Sequence, residues 1–372
     1  MHVIVCGAGV IGCATAFELS RRGVDVTVVE RWRVAGSASG KSGGFLARDW
    51  CNGTPVQSLA QHSFDLHEAW ADDIGICYGY RKVDTYSGAL SARRKLNRFG
   101  DETLVPWLAD DVVNRQQLGT RATTAQLDPA LFTQALMEAA ASNGASLQTA
   151  TVSGVTTTGD DSRVTGVMLP DGGELRADAV VIAMGPWSVL AAQWLALPPV
   201  YGLKGHSVIF KPTSELPPEA IFAEFETAEG DVLGPEIVPR ADGTLYVCGS
   251  PGDDALPVDP AQVMPESGGC EQLADITRRL VPSLADAEII AEQACFRPIT
   301  ADGIPLIGAV AGPEGGFVAS GHSVWGMLNA PGTGEAMADL VTACRAEHID
   351  LAAFDPARLA PLDPRDLQMH AR

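Results

Sequence analysis

The first thirty residues fix most of what this chain can fold into. An apolar run, Val3-Ile4-Val5, leads into Gly7-Ala8-Gly9-Val10-Ile11-Gly12, a helical stretch ends near Gly23, and a second apolar run from Val24 to Val29 delivers Glu30. Strand, glycine turn, helix and strand in that order make a βαβ unit that binds a dinucleotide. The glycines allow a tight turn, close backbone approach to a pyrophosphate, and tight helix–strand packing. The phosphates then sit on the helix N-terminus, where free N–H groups and the helix dipole favour negative charge. Glu30 follows Gly12 by 18 residues, near the roughly 20 expected for a carboxylate that accepts hydrogen bonds from ribose hydroxyls. That favours FAD or NAD over NADP, and Arg31 beside it joins the expected cofactor contacts.

A chain of 372 residues, 46% of them hydrophobic, can bury a large core and is expected to divide into two units. Its 26 basic against 46 acidic residues give a formal charge of −20, which repels nucleic acid and anionic lipid at long range. No uninterrupted apolar run approaches the ~20 residues of a membrane span. The first strand begins one residue after Met1, which leaves no room for a leader, so the expected compartment is the cytoplasm. The cysteines (Cys6, Cys13, Cys51, Cys77, Cys248, Cys270, Cys295 and Cys344) form no CxxC pair and have no metal-ligand spacing. A reducing compartment and no bound metal are expected.

Along the chain, Asp128-Pro129 is placed to cap a helix carrying Leu131, Phe132, Ala135, Leu136 and Ala139 on one face, with Gly144 as its stop. Ala179-Val180-Val181-Ile182-Ala183 reads as a buried strand running into Met184-Gly185-Pro186-Trp187, where the nucleotide unit resumes. Val200 to Ala294 alternates short strands with turns, as a mainly antiparallel sheet would. Asp302-Gly303 ahead of Ile304 and Leu306 suggests a hairpin, and Gly332-Thr333-Gly334 reads as the turn that starts a last helix from Glu335 to Glu347. The expected architecture is α/β. A Rossmann-like dinucleotide domain is assembled from residues 1–80, 145–199 and 296–372, with an α+β substrate domain from 81–144 and 200–295.

These segments resemble a known family. The glycine turn with Glu30, the loop Ala38-Ser39-Gly40-Lys41-Ser42-Gly43-Gly44, Ala183 to Trp187, Arg297-Pro298-Ile299-Thr300-Ala301-Asp302-Gly303 through Gly308, and Gly321-His322-Ser323-Val324-Trp325-Gly326 are similar, in that order, to the D-amino-acid oxidase superfamily. Its members include glycine oxidase and sarcosine oxidase. Ser39 through Phe45-Leu46-Ala47 to Asp49-Trp50-Cys51, with Ser63-Phe64-Asp65-Leu66-His67 after it, looks most like a little-characterised branch that includes yeast Tda3. The resemblance implies FAD as cofactor. It also implies hydride removal from the carbon beside a primary or secondary amine of a small amino acid, with oxygen or another electron acceptor taking the electrons. A dehydrogenase with a non-oxygen acceptor, or a flavin-bound adaptor in which FAD is structural, are the alternatives; an NAD-linked enzyme would leave the later motifs unexplained.

The cofactor would be held by Gly7, Gly9, Val10, Ile11, Gly12, Glu30 and Arg31, and by the loop residues Ser37, Ser39, Gly40, Lys41, Ser42, Gly43, Gly44, Phe45 and Leu46. The same comparison adds Val152, Ala183, Gly185, Trp187 and Arg297, together with Gly321, His322, Val324, Trp325, Gly326, Met327 and Leu328 on the flavin's pyrimidine side. Arg297 is the expected substrate anchor, because a guanidinium grips a carboxylate through two parallel hydrogen bonds. A structural ion pair is the plainer reading of it. Cys295 falls where sarcosine oxidases carry the cysteine bonded to FAD; an unmodified thiol and non-covalent FAD are expected. His206, Tyr246 and His322 are polar candidates without an assigned catalytic role. Lys41, one of five lysines, would meet reduced flavin or an anionic substrate, or else be a solvated surface lysine.

Overall fold

A computed structural model of the chain describes residues 1–98, 105–343 and 345–370; Cys344 lies outside them. The nucleotide-type unit is built on a six-stranded sheet. Its order is Leu306–Ala309, Gly316–Ser320, Ala179–Ile182, His2–Cys6, Asp25–Glu30, Ser146–Thr149, and every neighbouring pair but the first is parallel. A parallel sheet buries both faces, which is why Val3 to Val5 and Val180 to Ile182 are unbroken apolar runs and are fully buried. Two three-stranded sheets accompany it, of which the one containing Val164–Met168 packs against Ala179–Ile182. No helix of the described residues is long and apolar enough to cross a membrane.

The first helix, Val10–Arg21, is buried on almost every side. It packs against the helices Pro129–Ser142 and Gly326–Ala343. Asp128 caps the former as the sequence implies, its carboxylate accepting the Leu131 N–H at 2.9 Å, and Gly144 ends it at φ +100°. Phe132, Ala135 and Leu136 face inward, while Leu131, one step off that stripe, is 48% exposed. This helix lies beside the parallel sheet, although the sequence reading groups 81–144 with the other unit.

The second sheet has eight strands, ordered Glu288–Ile299, Tyr201–Lys211, Leu245–Gly252, Glu236–Pro239, Glu219–Glu226, Asp84–Ser91, Gln117–Gly119, with Val232–Leu233 paired to Glu219–Glu226. All its pairs are antiparallel except Glu219–Glu226 with Asp84–Ser91. Its side chains alternate with period two. Ile221, Ala223, Ile237, Leu245 and Val247 point into an apolar core with the helix Gly269–Leu280. Phe222, Glu236, Tyr246 and Cys248, between them, point to the opposite face and line a cavity.

Two local readings are corrected. Asp302-Gly303 does form a tight turn, with Gly303 at φ +73°, but it is no hairpin. The strand before it pairs with Tyr201–Lys211 and the strand after it with Gly316–Ser320, in the other sheet, so the turn is a crossing between the two sheets. The helix expected from Glu335 begins at Gly326, not after Gly334, with Pro331 inside it, and it is not the last, since Pro364–His370 follows.

A proline inside a helix removes one N–H and leaves the carbonyl four residues back without its partner. Here that carbonyl is Met327, and the gap is filled from outside. His67 Nε2 donates to the carbonyls of Met327 and Leu328 at 3.0 and 3.1 Å, and Ser63 Oγ accepts the Gly332 N–H at 3.1 Å. Both residues lie on the helix Gln57–Asp73, which packs alongside. Donation from Nε2 leaves Nδ1 as the unprotonated nitrogen, buried and without a partner. Burial pushes the His67 pKa down to about 4, and His322, also buried, down to about 3. The unfolded chain takes up these protons below about pH 6.5 and the folded one does not. Their stabilisation is therefore complete above pH 6.5 and is lost as the pH falls from 6.5 through about 4 for His67 and about 3 for His322. His67→Phe strips two buried carbonyls of their donor, so the unfolding free energy at pH 7.5 is expected to fall by about 2 kcal/mol. The loss of wild-type stability between pH 6.5 and 4 should become shallower in the same variant. Urea unfolding across that range checks both, and a variant as stable as wild type at pH 7.5 would contradict this account of the helix.

Candidate active site

Between the C-terminal ends of the parallel strands and the free face of the second sheet lies a cavity of about 750 Å³, in the upper part of the roughly 300–1,000 Å³ range of ligand sites. Its walls include the glycine turn, residues 29–33 and 36–45, residues 150–153, the turn after Ala179–Ile182, the sheet face, and residues 319–327.

At one end the cavity is built for a dinucleotide. Gly7 sits at φ +107°, and a Cβ there would lie 2.6 Å from the Ala183 carbonyl oxygen. A side chain at Gly12 would run into the Gly7 carbonyl. Gly7, Gly9, Val10 and Ile11 line the space directly, whereas Gly12 acts from behind by allowing helix and strand to meet. The Val10 N–H is met by Ser39 Oγ at 2.9 Å, and further first-turn N–H groups have no helical carbonyl to reach. Glu30 lines the cavity and accepts the Ala8 N–H at 2.8 Å and the Trp32 N–H at 2.9 Å. Those bonds fix the carboxylate and leave acceptor capacity on both oxygens. Arg31, Val152, Ala183, Gly185 and Trp187 line the same end. Arg31 and Trp187 each donate at 2.7 Å to the carbonyls of Val258 and Pro257, so the segment carrying Val258 and Pro260 closes this side.

The loop from Ser37 to Gly44 is fastened to the second sheet by three bonds. Lys41 Nζ donates to the Ala294 carbonyl at 3.0 Å, the Tyr246 hydroxyl to the Lys41 carbonyl at 2.9 Å, and Arg240 to the Ser42 carbonyl at 2.9 Å. Lys41 thus points away from the cavity, and partial burial lowers its pKa. Tyr246 presents its ring to the cavity while its hydroxyl is committed, and burial raises its pKa well above the phenol range. Ser37, Ser39, Ser42, Gly43, Gly44 and Phe45 line the cavity. Gly40 and Leu46 lie behind that wall: a Cβ on Gly40 would strike the Ala35 carbonyl, and Leu46 is fully buried.

On the opposite side His322, Val324, Trp325, Gly326 and Met327 line the cavity. The start of the helix Gly326–Ala343 puts its N-terminal, positive end here. Gly321, at φ +84° and packed against Thr300, and the buried Leu328 stand one layer back. His322 Nε2 bonds Thr333 Oγ1 at 3.0 Å, and its low pKa keeps the ring neutral at physiological pH. His206 has no lone pair to spare: Nε2 accepts the Glu266 N–H at 2.9 Å and Nδ1 donates to the Ser250 carbonyl at 3.0 Å. It holds loop ends in place and does not act as a base.

The sheet face carries Arg297, Cys295, Cys248, Glu236 and Phe222 into the cavity. The Arg297 guanidinium lies over Gly205, where a Cβ would come within 3.0 Å of Nη2. Among the described residues it has no hydrogen-bond or ion-pair partner. Cys295 is half-buried, and its desolvation raises the thiol pKa, with Arg297 and Lys41 pulling in the other direction. Sequence reasoning missed Glu236, Cys248, Trp50 and Phe222 as site residues. Phe45, Trp50 and Phe222 form a ring cluster with centroids 4.6–5.2 Å apart, and Trp325 stacks edge-on to Trp50 at 6.3 Å. Glu236, Cys248 and Phe222 lie on short alternating strands without a motif, which gave no mark by which to find them, whereas Trp50 stands in the quoted stretch Asp49-Trp50-Cys51.

The glycine cradle, the fixed acidic residue and the helix N-terminus fit an adenine dinucleotide, and the remaining space before Arg297 and the rings fits a flavin ring with a small substrate. The family profile described as DAO, FAD dependent oxidoreductase, matches residues 2–340. The glycine oxidase of Pseudomonas aeruginosa is 31% identical, with 96% of this chain and 98% of that protein covered. Saccharomyces cerevisiae TDA3 is 25% identical over 95% of this chain and 94% of that protein. The crystal structure of glycine oxidase from Geobacillus kaustophilus superimposes with a TM-score of 0.79 at 27% identity, covering 96% and 98% of the two chains.

Two outcomes are expected of purified protein. It should carry FAD near one per chain, and Gly9→Trp should abolish loading while leaving the chain folded, because the indole would fill the pyrophosphate approach beside Ser39; normal FAD content in that variant would contradict the placement. Acid precipitation should release the flavin into the supernatant, since the Cys295 thiol is held protonated. A yellow pellet with a flavin–peptide mass adduct would show a covalent bond instead.

Proposed function

The chain belongs to the DAO family of FAD-dependent oxidoreductases and is related to glycine oxidase, and on that premise we propose that it oxidises the C–N bond of a small amino acid or N-substituted amino acid. One observation carries the reading: a guanidinium on the wall of the cavity that has no hydrogen-bond or ion-pair partner among the described residues. An arginine placed there for structure would have found one of the chain's 46 acidic residues. Arg297 instead lies over a glycine that makes room for it, with its planar fork free for a carboxylate.

Bound flavin supplies the acceptor for the hydride, and with it the two electrons, that leaves the carbon beside the nitrogen, while the nitrogen loses a proton. The protein's part is to hold the substrate and exclude water. Arg297 fixes the carboxylate end, and the rings of Phe45, Trp50, Phe222 and Trp325 provide a dry wall. The positive end of the helix from Gly326 favours negative charge that develops on its side of the cavity. The resulting imine hydrolyses to a keto acid or aldehyde and an amine.

Arg297→Lys keeps the charge but loses the fork, and Arg297→Met loses both. Each charge-assisted hydrogen bond contributes about 1.5–3 kcal/mol, so the half-saturating amino-acid concentration should rise about ten- to several-hundredfold while FAD content is unchanged. Anaerobic flavin bleaching by an active amino acid and by its amidated or decarboxylated analogue is the measurement. If Arg297→Met leaves the ratio between acid and analogue as it was, the carboxylate anchor lies elsewhere.

A further inference from the structure

Glu236 is the feature of the cavity that the reaction outlined above leaves unused. Its carboxyl is half-buried and faces the cavity, and among the described residues its one hydrogen-bond partner is the Cys248 thiol at 3.5 Å. A carboxylate offers about four acceptor positions, and a thiol is a weak donor. Burying such a group with so little compensation is costly, and burial raises its pKa, with Arg297 the main opposing influence. Arg297 and Glu236 therefore feel each other's charge, yet no ion pair joins them, although each lacks a better partner.

The sheet explains why they stay apart. Arg297 is on the strand Glu288–Ile299 and Glu236 on Glu236–Pro239, with two strands between them. The guanidinium reaches across only the first of these, to stand over Gly205. Glu236 is in register with Cys248 on one side and Phe222 on the other. With strands about 4.8 Å apart, roughly 10 Å of sheet separates the backbone under the guanidinium from that of Glu236. The cavity thus holds two opposite charges a short gap apart, bounded beyond Glu236 by the ring cluster, which keeps the local dielectric low and strengthens ionic contacts.

Resting on the amino-acid reading of the site, we propose that Glu236 is its second pole: it binds the ammonium group of a zwitterion whose carboxylate is held by Arg297. The class of substrate is thereby narrowed to molecules carrying a basic nitrogen near the carboxylate. Hydroxy acids and simple carboxylates, which fit Arg297 equally well, leave Glu236 unpaired and are rejected.

The test is equilibrium binding to the FAD-loaded protein, followed by calorimetry and by perturbation of the flavin absorbance. The probes are 2-aminoisobutyrate, which has no hydrogen on the carbon bearing nitrogen and so cannot be oxidised, and pivalate, its isostere without the amine. Wild type should bind 2-aminoisobutyrate at least about tenfold more tightly than pivalate, the gain expected of one charge-assisted contact. Glu236→Gln should bring the two within about threefold of each other without weakening pivalate. A wild type that does not distinguish them overturns the proposal without recourse to any variant, and so does a Glu236→Gln protein that keeps the preference. In either case the amino-acid reading survives if Arg297→Met weakens both ligands. Failure of wild type to bind either probe at millimolar concentration overturns both.

Discussion

The architecture depends on how closely the first helix is approached. A Cβ at Gly12 would run into the Gly7 carbonyl, and one at Gly334 would sit 2.7 Å from the Ala14 backbone. Strand, helix and C-terminal helix therefore meet with no side chain between them on those two sides. Because the helix Val10–Arg21 cannot move outward, the strand ends on either side of it are fixed. The cavity opens where those ends and the glycine turn leave off, as ligand sites do at the carboxyl ends of parallel strands. A larger residue at either glycine would push apart the elements that define the cavity floor.

The two sheets meet this floor in different ways. The parallel sheet supplies backbone: turns, N–H groups and one carboxylate already engaged with two of them. The antiparallel sheet supplies side chains, because its period-two alternation can send one set to a helix-covered core and the other to the ligand. The bonds from Lys41, Tyr246 and Arg240 sew the loop Ser37–Gly44 between the two. Residues that look catalytic by type thus turn out to determine where a loop lies, while Arg297 and Glu236, which form no ion pair among the described residues, come from the sheet itself.

What the sequence disclosed was whatever is local. The βαβ unit, the Asp128 cap and the Arg297 segment are spelled out over a few consecutive residues, and the motif order carried the family. Glu236 and Phe222 were illegible because their meaning is a cross-strand register between Glu219–Glu226, Glu236–Pro239 and Leu245–Gly252, which no single segment encodes. Gly332-Thr333-Gly334 after Pro331 was misread as a helix start for a related reason. Local propensity forbids a helix there, and the hydrogen bonds that permit one come from Ser63 and His67, more than 250 positions earlier. His206 likewise looks available in one dimension and is fully bonded in three.

The interrupted helix has a further consequence. Its first turn and a half, Gly326 to Ala330, is joined to the remainder across a missing backbone bond and is held by a ring on a neighbouring helix. That segment behaves as a short arm with its own mooring. Its pitch over the cavity is set by the helix Gln57–Asp73, whose solvent side bears His62 in contact with Glu335. Changes of sequence on the outside of that helix accordingly have a backbone route to the ligand, and the inner wall can be retuned from the surface without altering any residue that lines it.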